Sequence, residues 1–229
     1  MLITIGGKAW SGKGTIAKLL EKQLNYIIIS VGDMKRKLAD EMGINIQEFN
    51  ILWEDPKNIK EFDLKYEEYQ KNLNLNDKAI LDSRLGFFCQ PEAFKILLDV
   101  DEEIAAHRIF HHDRVTDSFS SVEEATQNVK ERNLNDQKRY QKLYDINIRD
   151  FKNYNLVIDT SERTPTEIMD IILTEFKNRK LKKGIGETEQ EKKAISKAQH
   201  KKSLLKNILL LLALVVIAGI WIGTTMLYK

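Results

Sequence analysis

The sequence predicts an α/β fold: a doubly wound, mostly parallel sheet flanked by helices, with a single transmembrane helix added near the C-terminus. Three observations predict it. Short apolar runs alternate with segments of helical periodicity, a glycine-rich turn joins the first apolar run to the first helix, and a long uncharged stretch comes near the end. Alternating strands and helices favour a parallel sheet, because each parallel connection needs a crossover.

The predicted strands are short apolar runs that end at polar residues or glycine, as expected for strands covered on both faces. They are 1–5, 26–30, 78–82, 94–100 and 155–159. Between them, apolar residues at helical spacing predict helices. These are 15–24, 34–42, 46–73 with a break near Asp55–Pro56, 101–110 and 164–177. Asp33 is predicted to cap the second helix, because a short carboxylate can accept hydrogen bonds from first-turn N–H groups.

The turn after the first strand reads GGKAWSGKGT at 6–15 and has the pattern of a phosphate-binding loop. Its glycines allow backbone N–H groups to converge, and the helix that follows adds partial positive charge. Lys13 is expected to reach the β- and γ-phosphates of ATP, and the Thr15 hydroxyl to hold Mg²⁺. Gly14 stands where a hydroxyl residue is more usual. Trp10 stands where a small residue is common, and we expect its side chain to lie over the nucleotide or under a neighbouring segment.

Composition narrows the possible functions of the chain. The single cysteine, Cys89, excludes an internal disulfide, fits a reducing compartment and is expected to be a packing residue. The four histidines show no ligand spacing, so no metal site is expected at them. Residues 1–176 hold 24 Lys and Arg against 31 Asp and Glu, whereas residues 177–229 hold 12 against 3. An acidic body of this kind is not a general nucleic-acid binder.

The basic end of the chain is predicted to be separate from the folded domain of 1–178. Residues 179–206 are rich in Lys, Glu, Gln and Ala and predict a solvated linker or helix. Residues 207–228 carry no charge and would span about 33 Å as a helix, enough for the hydrocarbon core of a bilayer. Only Lys229 follows, as in a tail-anchored membrane protein, and the upstream lysines would keep the domain cytoplasmic and contact lipid headgroups. The alternative is an apolar helix that docks on a partner or a second copy.

Four segments resemble the nucleoside monophosphate kinases, and among these most of all the short cytidylate kinases. They are GKAWSGKGT at 7–15, SVGDMKRKLADEMGI at 30–44, DSRLGFF at 82–88 and KERNLNDQKRYQKLYDI at 130–146. With the closing strand NLVIDTS at 155–161, the resemblance covers nearly all of 1–178. It implies a P-loop NTPase fold and an ATP- and Mg²⁺-dependent kinase, expected to be monomeric. The expected acceptor is a nucleoside monophosphate, CMP or dCMP above all.

The resemblance also implies which residues hold the acceptor, and arginines suit this role because their planar forks bind phosphate through paired hydrogen bonds. Arg36 and Arg84 are expected on its phosphate, with Asp33 beside them. The second group, which is expected to contact its sugar and phosphate, is Arg132, Asp136 and Arg139. On a helix the spacing of this group places its members on one face.

The remaining roles concern ATP, the metal ion and the transfer itself. By resemblance, Asp82 at the end of the third strand would hold Mg²⁺ through water, together with Thr15. The residues expected to bind ATP are Gly7, Lys8, Ala9, Trp10, Ser11, Gly12, Lys13, Gly14, Thr15, Arg108 and Arg114. The two arginines of this set would belong to a lid that excludes water. The residues expected to be catalytic are Lys13, Arg84, Arg108 and Arg139.

Two alternatives remain for the function. One is a related kinase with another acceptor, such as AMP, dTMP or a non-nucleotide, because Leu85 stands where many cytidylate kinases carry an acid. The other is a membrane-tethered nucleotide sensor or adaptor that binds ATP without turnover. The acceptor-side arginines favour the kinase, since a sensor has no use for them. Asp99 and Asp101, at the end of the fourth strand, are interpreted as structural.

Overall fold

The computed structural model describes residues 1–55, 59–73, 78–111 and 119–182. Residues Met1–Arg179 form one compact unit, and Lys180–Lys229 form a second, of which only the end of the last helix is described. Among the described residues, no helix is long and apolar enough to cross a membrane. The predicted transmembrane helix at 207–228, most of the predicted linker and Arg114 lie outside the described residues.

The sheet has five strands, all parallel, in the order β2-β3-β1-β4-β5. The strands are β1 Ile3–Gly7, β2 Ile27–Ser30, β3 Ala79–Asp82, β4 Phe94–Asp99 and β5 Leu156–Asp159. Each predicted strand is present, with ends that differ by two residues or fewer. The register pairs Ser30 with Asp82 and Asp99 with Asp159, so the polar carboxyl ends of the strands meet at one edge. This edge is where ligands bind in open parallel sheets.

The helices confirm the predicted alternation. They are α1 Lys13–Leu24, α2 Val31–Glu41, α3 Ile46–Glu54, α4 Ile59–Lys71, α5 Gly86–Cys89, α6 Glu102–Phe110, α7 Val122–Tyr144 and α8 Pro165–Lys182, with a 3₁₀ turn at Phe151–Asn153. The predicted break near Asp55–Pro56 falls between α3 and α4. Helix α7 is the longest of the described helices, and it carries most of the segment 130–146 that the sequence analysis singled out.

The sheet is covered on both faces, as a doubly wound fold requires. Side chains alternate between the two faces along a strand, and β4 shows this directly. Ile96 and Leu98 pack with α1 and α8, whereas Leu97 packs on the other side with residues of α5 and α7, such as Phe87 and Tyr140. Burying each large apolar side chain contributes about 1.5–3 kcal/mol. The two cores therefore fix the strands whose carboxyl ends carry the site.

One predicted feature of α2 is wrong. The residue that caps this helix is Ser30, in an extended conformation, whose Oγ accepts a hydrogen bond of 3.1 Å from the backbone N–H of Asp33. Because the helix begins at Val31, directly after β2, Asp33 lies in its first turn and not at its cap. Its carboxylate forms an ion pair with Arg36 instead.

Candidate active site

The glycine-rich turn connects β1 to α1 at the carboxyl edge of the sheet. Gly7 has φ 151°, and a Cβ there would lie 2.2 Å from the carbonyl oxygen of Leu98 on the neighbouring strand. Gly12 adopts the left-handed conformation, φ 85°, at the start of α1. A Cβ at Gly12 or Gly14 would meet nothing within 4 Å, so the loop is open on this side. The two conformational demands explain the glycines, and the open side is the cradle that a phosphate chain needs.

Lys8 and Ala9 connect the loop to neighbouring elements, and Ser11 forms a hydrogen bond within it. Lys8 Nζ lies 2.8 Å from Asp99 Oδ1 and donates to the carbonyl of Val100 at 3.1 Å. The N–H of Ala9 donates to Asn133 Oδ1 of α7 at 3.1 Å, and Ser11 Oγ donates to the carbonyl of Lys8 at 3.0 Å. Helix α1 begins without a side-chain cap. Its first N–H groups are therefore the loop donors that can bind an anion.

The side chain of Lys13 folds back onto the phosphate-binding loop. Its Nζ donates to the carbonyls of Gly7 at 3.0 Å and Lys8 at 2.8 Å. Burial, and then the positive charge of Arg84, lower the pKa of Lys13 to about 7, although the carboxylate of Asp82 acts in the opposite direction. The ammonium group of the loop and the guanidinium of the predicted acceptor site are thus close enough to repel each other.

Trp10 lies under a neighbouring segment, which is one of the two placements expected for it. Its backbone is left-handed, φ 61°, and its side chain packs beside a cluster that includes Ile109 of α6 and Val129 of α7. Its carbonyl accepts a hydrogen bond of 3.3 Å from Arg108 Nη1. The indole therefore anchors the loop to the two helices beside it.

Arg108 lies on α6 and joins the loop to the segment after β5. Besides the carbonyl of Trp10, its guanidinium reaches the carbonyls of Thr160 at 2.5 Å and Ser161 at 3.1 Å. Burial lowers the pKa of Arg108, with Asp159 acting against this shift. The structure places Arg108 beside the loop, where the expected role toward ATP stays a prediction. Arg114, the other arginine expected in the lid, lies outside the described residues.

The acceptor-side residues are brought together around Asp136. This carboxylate on α7 lies 2.5 Å from Arg84 Nε through Oδ2 and 3.0 Å from Arg139 Nη2 through Oδ1. Burial alone would raise the pKa of Asp136, but Arg84 and Arg139 hold it below its ordinary value. Arg132 is exposed on the same helix, and its charge also acts on Asp136 and on Lys13. Gly7, Arg84 and Asp136 all line one cleft of about 190 Å³, so loop and acceptor side share it.

Arg36 and Asp33 do not join this group. They pair with each other on the exposed side of α2, where 46% of the Arg36 side chain and 70% of the Asp33 side chain are accessible to solvent. Their charges still act on Asp82, the last residue of β3, whose pKa burial raises and Lys13 lowers. Asp82 and the exposed Thr15 of α1 flank Lys13 and can supply a carboxylate and a hydroxyl to a hydrated Mg²⁺. No cluster of three or more metal-binding side chains occurs in the part of the chain that the structure describes.

Four residues of the site were not predicted from the sequence. Asn133 binds the loop, Asp63 lies 3.7 Å from Arg139 Nε, Trp53 donates to Asp63 at 3.0 Å, and Lys35 lies over the Trp53 ring. Asn133 lies in the segment RNLND at 132–136, so its position between Arg132 and Asp136 is a signal that the sequence does contain. The other three come from α2, α3 and α4, whose relative placement no local pattern reveals.

Comparison with known proteins gives a family and a fold. The model of the cytidylate kinase-like family matches residues 2–162. The chain is 30% identical to a cytidylate kinase of Methanosphaera stadtmanae over 181 residues, 79% of this chain and 100% of that protein. It is 35% identical to a cytidylate kinase of Methanococcoides burtonii over 173 residues, 75% of this chain and 94% of that protein.

Two further similarities differ in what they cover. An S-adenosylmethionine-dependent nucleotide dehydratase of Lacinutrix mariniflava is 35% identical over 176 residues, which are 76% of this chain but only 35% of that protein. Among solved structures, the shikimate kinase of Acinetobacter baumannii in complex with shikimate superposes with a TM-score of 0.52 at 14% identity. That likeness covers 79% of this chain and 94% of the other, and it shows the fold of a P-loop kinase. By sequence, the chain belongs to the cytidylate kinase-like family.

Proposed function

We propose that the chain is an ATP- and Mg²⁺-dependent kinase that converts CMP or dCMP to the diphosphate. The observation that carries the proposal is the position of Arg84 and Arg139 around Asp136. Arg84 and Asp136 line one cleft with the phosphate-binding loop, and the charge of Arg84 acts on Lys13. A loop for one phosphate chain beside two partly buried arginines is what a transfer between two anionic substrates requires.

Each group has a task that follows from its surroundings. The first N–H groups of α1 and the ammonium of Lys13 would hold the phosphates of ATP, which replace the loop carbonyls as partners of that lysine. Arg84 and Arg139, oriented by Asp136, would hold the acceptor phosphate in line with the γ-phosphate. Bound Mg²⁺, held by Thr15 and through water by Asp82, would neutralise charge on the phosphates. Arginine is suited to this position because it stays charged when buried.

The proposal of a cytosine nucleotide as the acceptor is supported by the relatives in addition to the geometry. Several relatives that are named cytidylate kinases align over nine tenths or more of their own length. A nucleotide dehydratase matches as well, but the chain spans about a third of it, so the comparison does not carry that activity to this chain. A cytosine nucleotide is therefore the acceptor that the comparisons favour.

A coupled assay with ATP and a panel of acceptors tests the proposal. We expect turnover with CMP and dCMP, and at least about tenfold lower kcat/KM with UMP, AMP, dTMP and shikimate, which is a difference of about 1.4 kcal/mol in transition-state binding. Turnover with another acceptor, and none with CMP and dCMP, would refute the cytidylate assignment. Binding of ATP with no turnover on any acceptor would favour the sensor instead.

A further inference from the structure

The side chain of Lys35 on α2 lies against Trp53 at the acceptor side, whereas its neighbour Arg36 is exposed. Its Nζ lies 3.5 Å from the centroid of the Trp53 ring, the geometry of a cation–π contact. The charged groups that act on it come from α4, α7 and the turn after β3: Arg139, Asp63, Asp136 and Arg84. These include the two arginines to which we assign the acceptor phosphate.

Trp53 is a fixed platform for this ammonium group. The residue is 1% exposed, and its indole N–H donates to Asp63 Oδ1 at 3.0 Å. Its ring stacks on Phe62 with centroids 5.0 Å apart and an interplanar angle of 19°, and Tyr66 packs against it edge-on at 4.7 Å. A ring held on several sides positions the cation above it before any ligand binds, which lowers the cost of ordering that side chain.

The carboxylates near Lys35 are engaged by other groups. Asp136 pairs with Arg84 and Arg139, and Asp63 accepts from Trp53 and faces Arg139. Within the described ranges, no carboxylate lies at ion-pair distance from Lys35 Nζ. Burial, and then the charge of Arg139, lower the pKa of Lys35 to about 7. When Lys35 is protonated, the three cations Lys35, Arg84 and Arg139 face only the two carboxylates Asp63 and Asp136 among the charged groups that act on this lysine, which favours an incoming anion.

We propose that Lys35 binds the acceptor phosphate together with Arg84 and Arg139, and that its ammonium group moves from the Trp53 ring to a phosphate oxygen when the acceptor binds. This inference rests on the proposed function. A phosphate monoester is largely dianionic at neutral pH and offers three acceptor oxygens, so it can serve a third cation in addition to the two guanidiniums. A charge-assisted hydrogen bond to phosphate is stronger than the contact with the ring.

A substitution that keeps the stem and removes the charge tests the proposal. In Lys35→Met we expect the KM for the acceptor to rise by about tenfold or more, while the KM for ATP stays within about twofold. Lys37→Met is the matched control, because Lys37 lies on the same helix, is exposed and faces Glu41 at 3.9 Å. An unchanged KM for the acceptor in Lys35→Met would overturn the proposal. Absence of turnover in the unsubstituted chain with every monophosphate would overturn the proposed function instead.

Fluorescence of Trp53 tests the movement without relying on a substitution at Lys35. The chain has three tryptophans, so replacing Trp10 and Trp221 by Phe leaves Trp53 as the single indole. If the ammonium leaves the ring for the phosphate, CMP should change the emission of Trp53 and cytidine, which lacks the phosphate, should leave it as it was. Equal responses to CMP and cytidine, or no response to saturating CMP, would overturn the proposal even if Lys35→Met does not fold.

Discussion

At the scale of single residues, Lys13 of the loop and Arg84 of the acceptor side are close enough for their charges to interact. The charge of Arg84 lowers the pKa of Lys13, and the carboxylate of Asp136 orients the guanidinium. We expect Arg84→Ala and Lys13→Ala each to lower kcat by at least about 10²-fold, because each removes a charge that stabilises the transition state. Arg163→Ala is the control, since this exposed arginine donates to the carbonyl of Asp159 and is not among the residues of the proposed site. An Arg84→Ala variant with unchanged kcat and acceptor KM would remove Arg84 from the acceptor site.

The lowered pKa of Lys13 also predicts a dependence of stability on pH. In the unfolded chain this lysine keeps its proton up to about pH 10.5, whereas in the fold it loses it near pH 7. The unfolded state then binds more protons between these values, so the free energy of unfolding rises with pH by at most about 1.4 kcal/mol per unit from this group. Lys13→Met should show a smaller rise than the unsubstituted chain between pH 7 and 9.

Urea unfolding without nucleotide at pH 7, 8 and 9 measures this effect. Lys35 has a similarly lowered pKa and remains in both proteins, and the raised pKa of the buried Cys89 acts in both as well. The difference between the two slopes therefore isolates Lys13. Lys18→Met, on the exposed side of the same helix, should keep the slope of the unsubstituted chain. Parallel pH profiles for the Lys13→Met and unsubstituted chains would show that the ammonium is not buried in the free protein.

At the scale of elements, α7 joins the two halves of the site. It supplies Asn133 to the loop and Asp136 and Arg139 to the acceptor side. The amide of Asn133 also donates to Glu102 Oε1 of α6 at 3.3 Å, so the loop is tied to two helices through one buried side chain. Under the proposed function, α7 would therefore link the binding of ATP to the placement of the acceptor arginines.

Removing the hydrogen bond between Asn133 and the loop should weaken ATP binding more than acceptor binding. In Asn133→Ala the N–H of Ala9 loses its acceptor, which costs about 1–3 kcal/mol when the group is buried. We expect a lower free energy of unfolding and a KM for ATP that rises more than the KM for the acceptor. Asn128→Ala, an exposed position on the same helix, should change neither. Steady-state kinetics and urea unfolding measure both quantities, and equal rises of the two KM values would argue against a loop-specific role.

The sequence predicted the elements better than the contacts among them. The strands and the phosphate-binding loop were predicted because apolar runs and the glycine pattern depend only on neighbours along the chain. Helix α7 was not bounded, since its polar residues leave no broad apolar stripe. Arg36 and Lys35 are adjacent, and local sequence does not reveal which of them points inward. That choice depends on Trp53 and Asp63, which come from α3 and α4 and meet Lys35 only in the folded chain.

At the scale of the whole molecule, the described residues of the proposed site belong to the first compact unit. The loop, the acceptor arginines and Lys35 all lie within residues Met1–Arg179. The strongly basic composition and the uncharged stretch belong to the remainder of the chain. Activity and membrane association should therefore be separable, and one deletion can test both.

We predict that residues 207–228 insert into a bilayer and that a chain ending at Lys182, the last residue of α8, keeps its activity without them. The stretch has 22 uncharged residues, enough to cross the hydrocarbon core as a helix. Its upstream flank is crowded with lysines, each of which contributes on the order of 1 kcal/mol near an anionic surface. They are Lys192, Lys193, Lys197, Lys201, Lys202 and Lys206. If the stretch inserts, the positive-inside bias predicts that the folded unit lies on the cytoplasmic side, because lysines favour that side.

Carbonate extraction followed by flotation with liposomes separates this prediction from its alternative. Carbonate at high pH removes proteins held by charge but not a helix buried in lipid, so the full chain should float with the membrane and the shorter chain should stay in the soluble fraction. The shorter chain should also match the full chain in kcat, since no residue of the proposed site is removed. If the full chain is extracted at high pH and stays soluble without detergent, the stretch instead docks on a partner or a second copy. A concentration-dependent mass in solution would then identify the second copy.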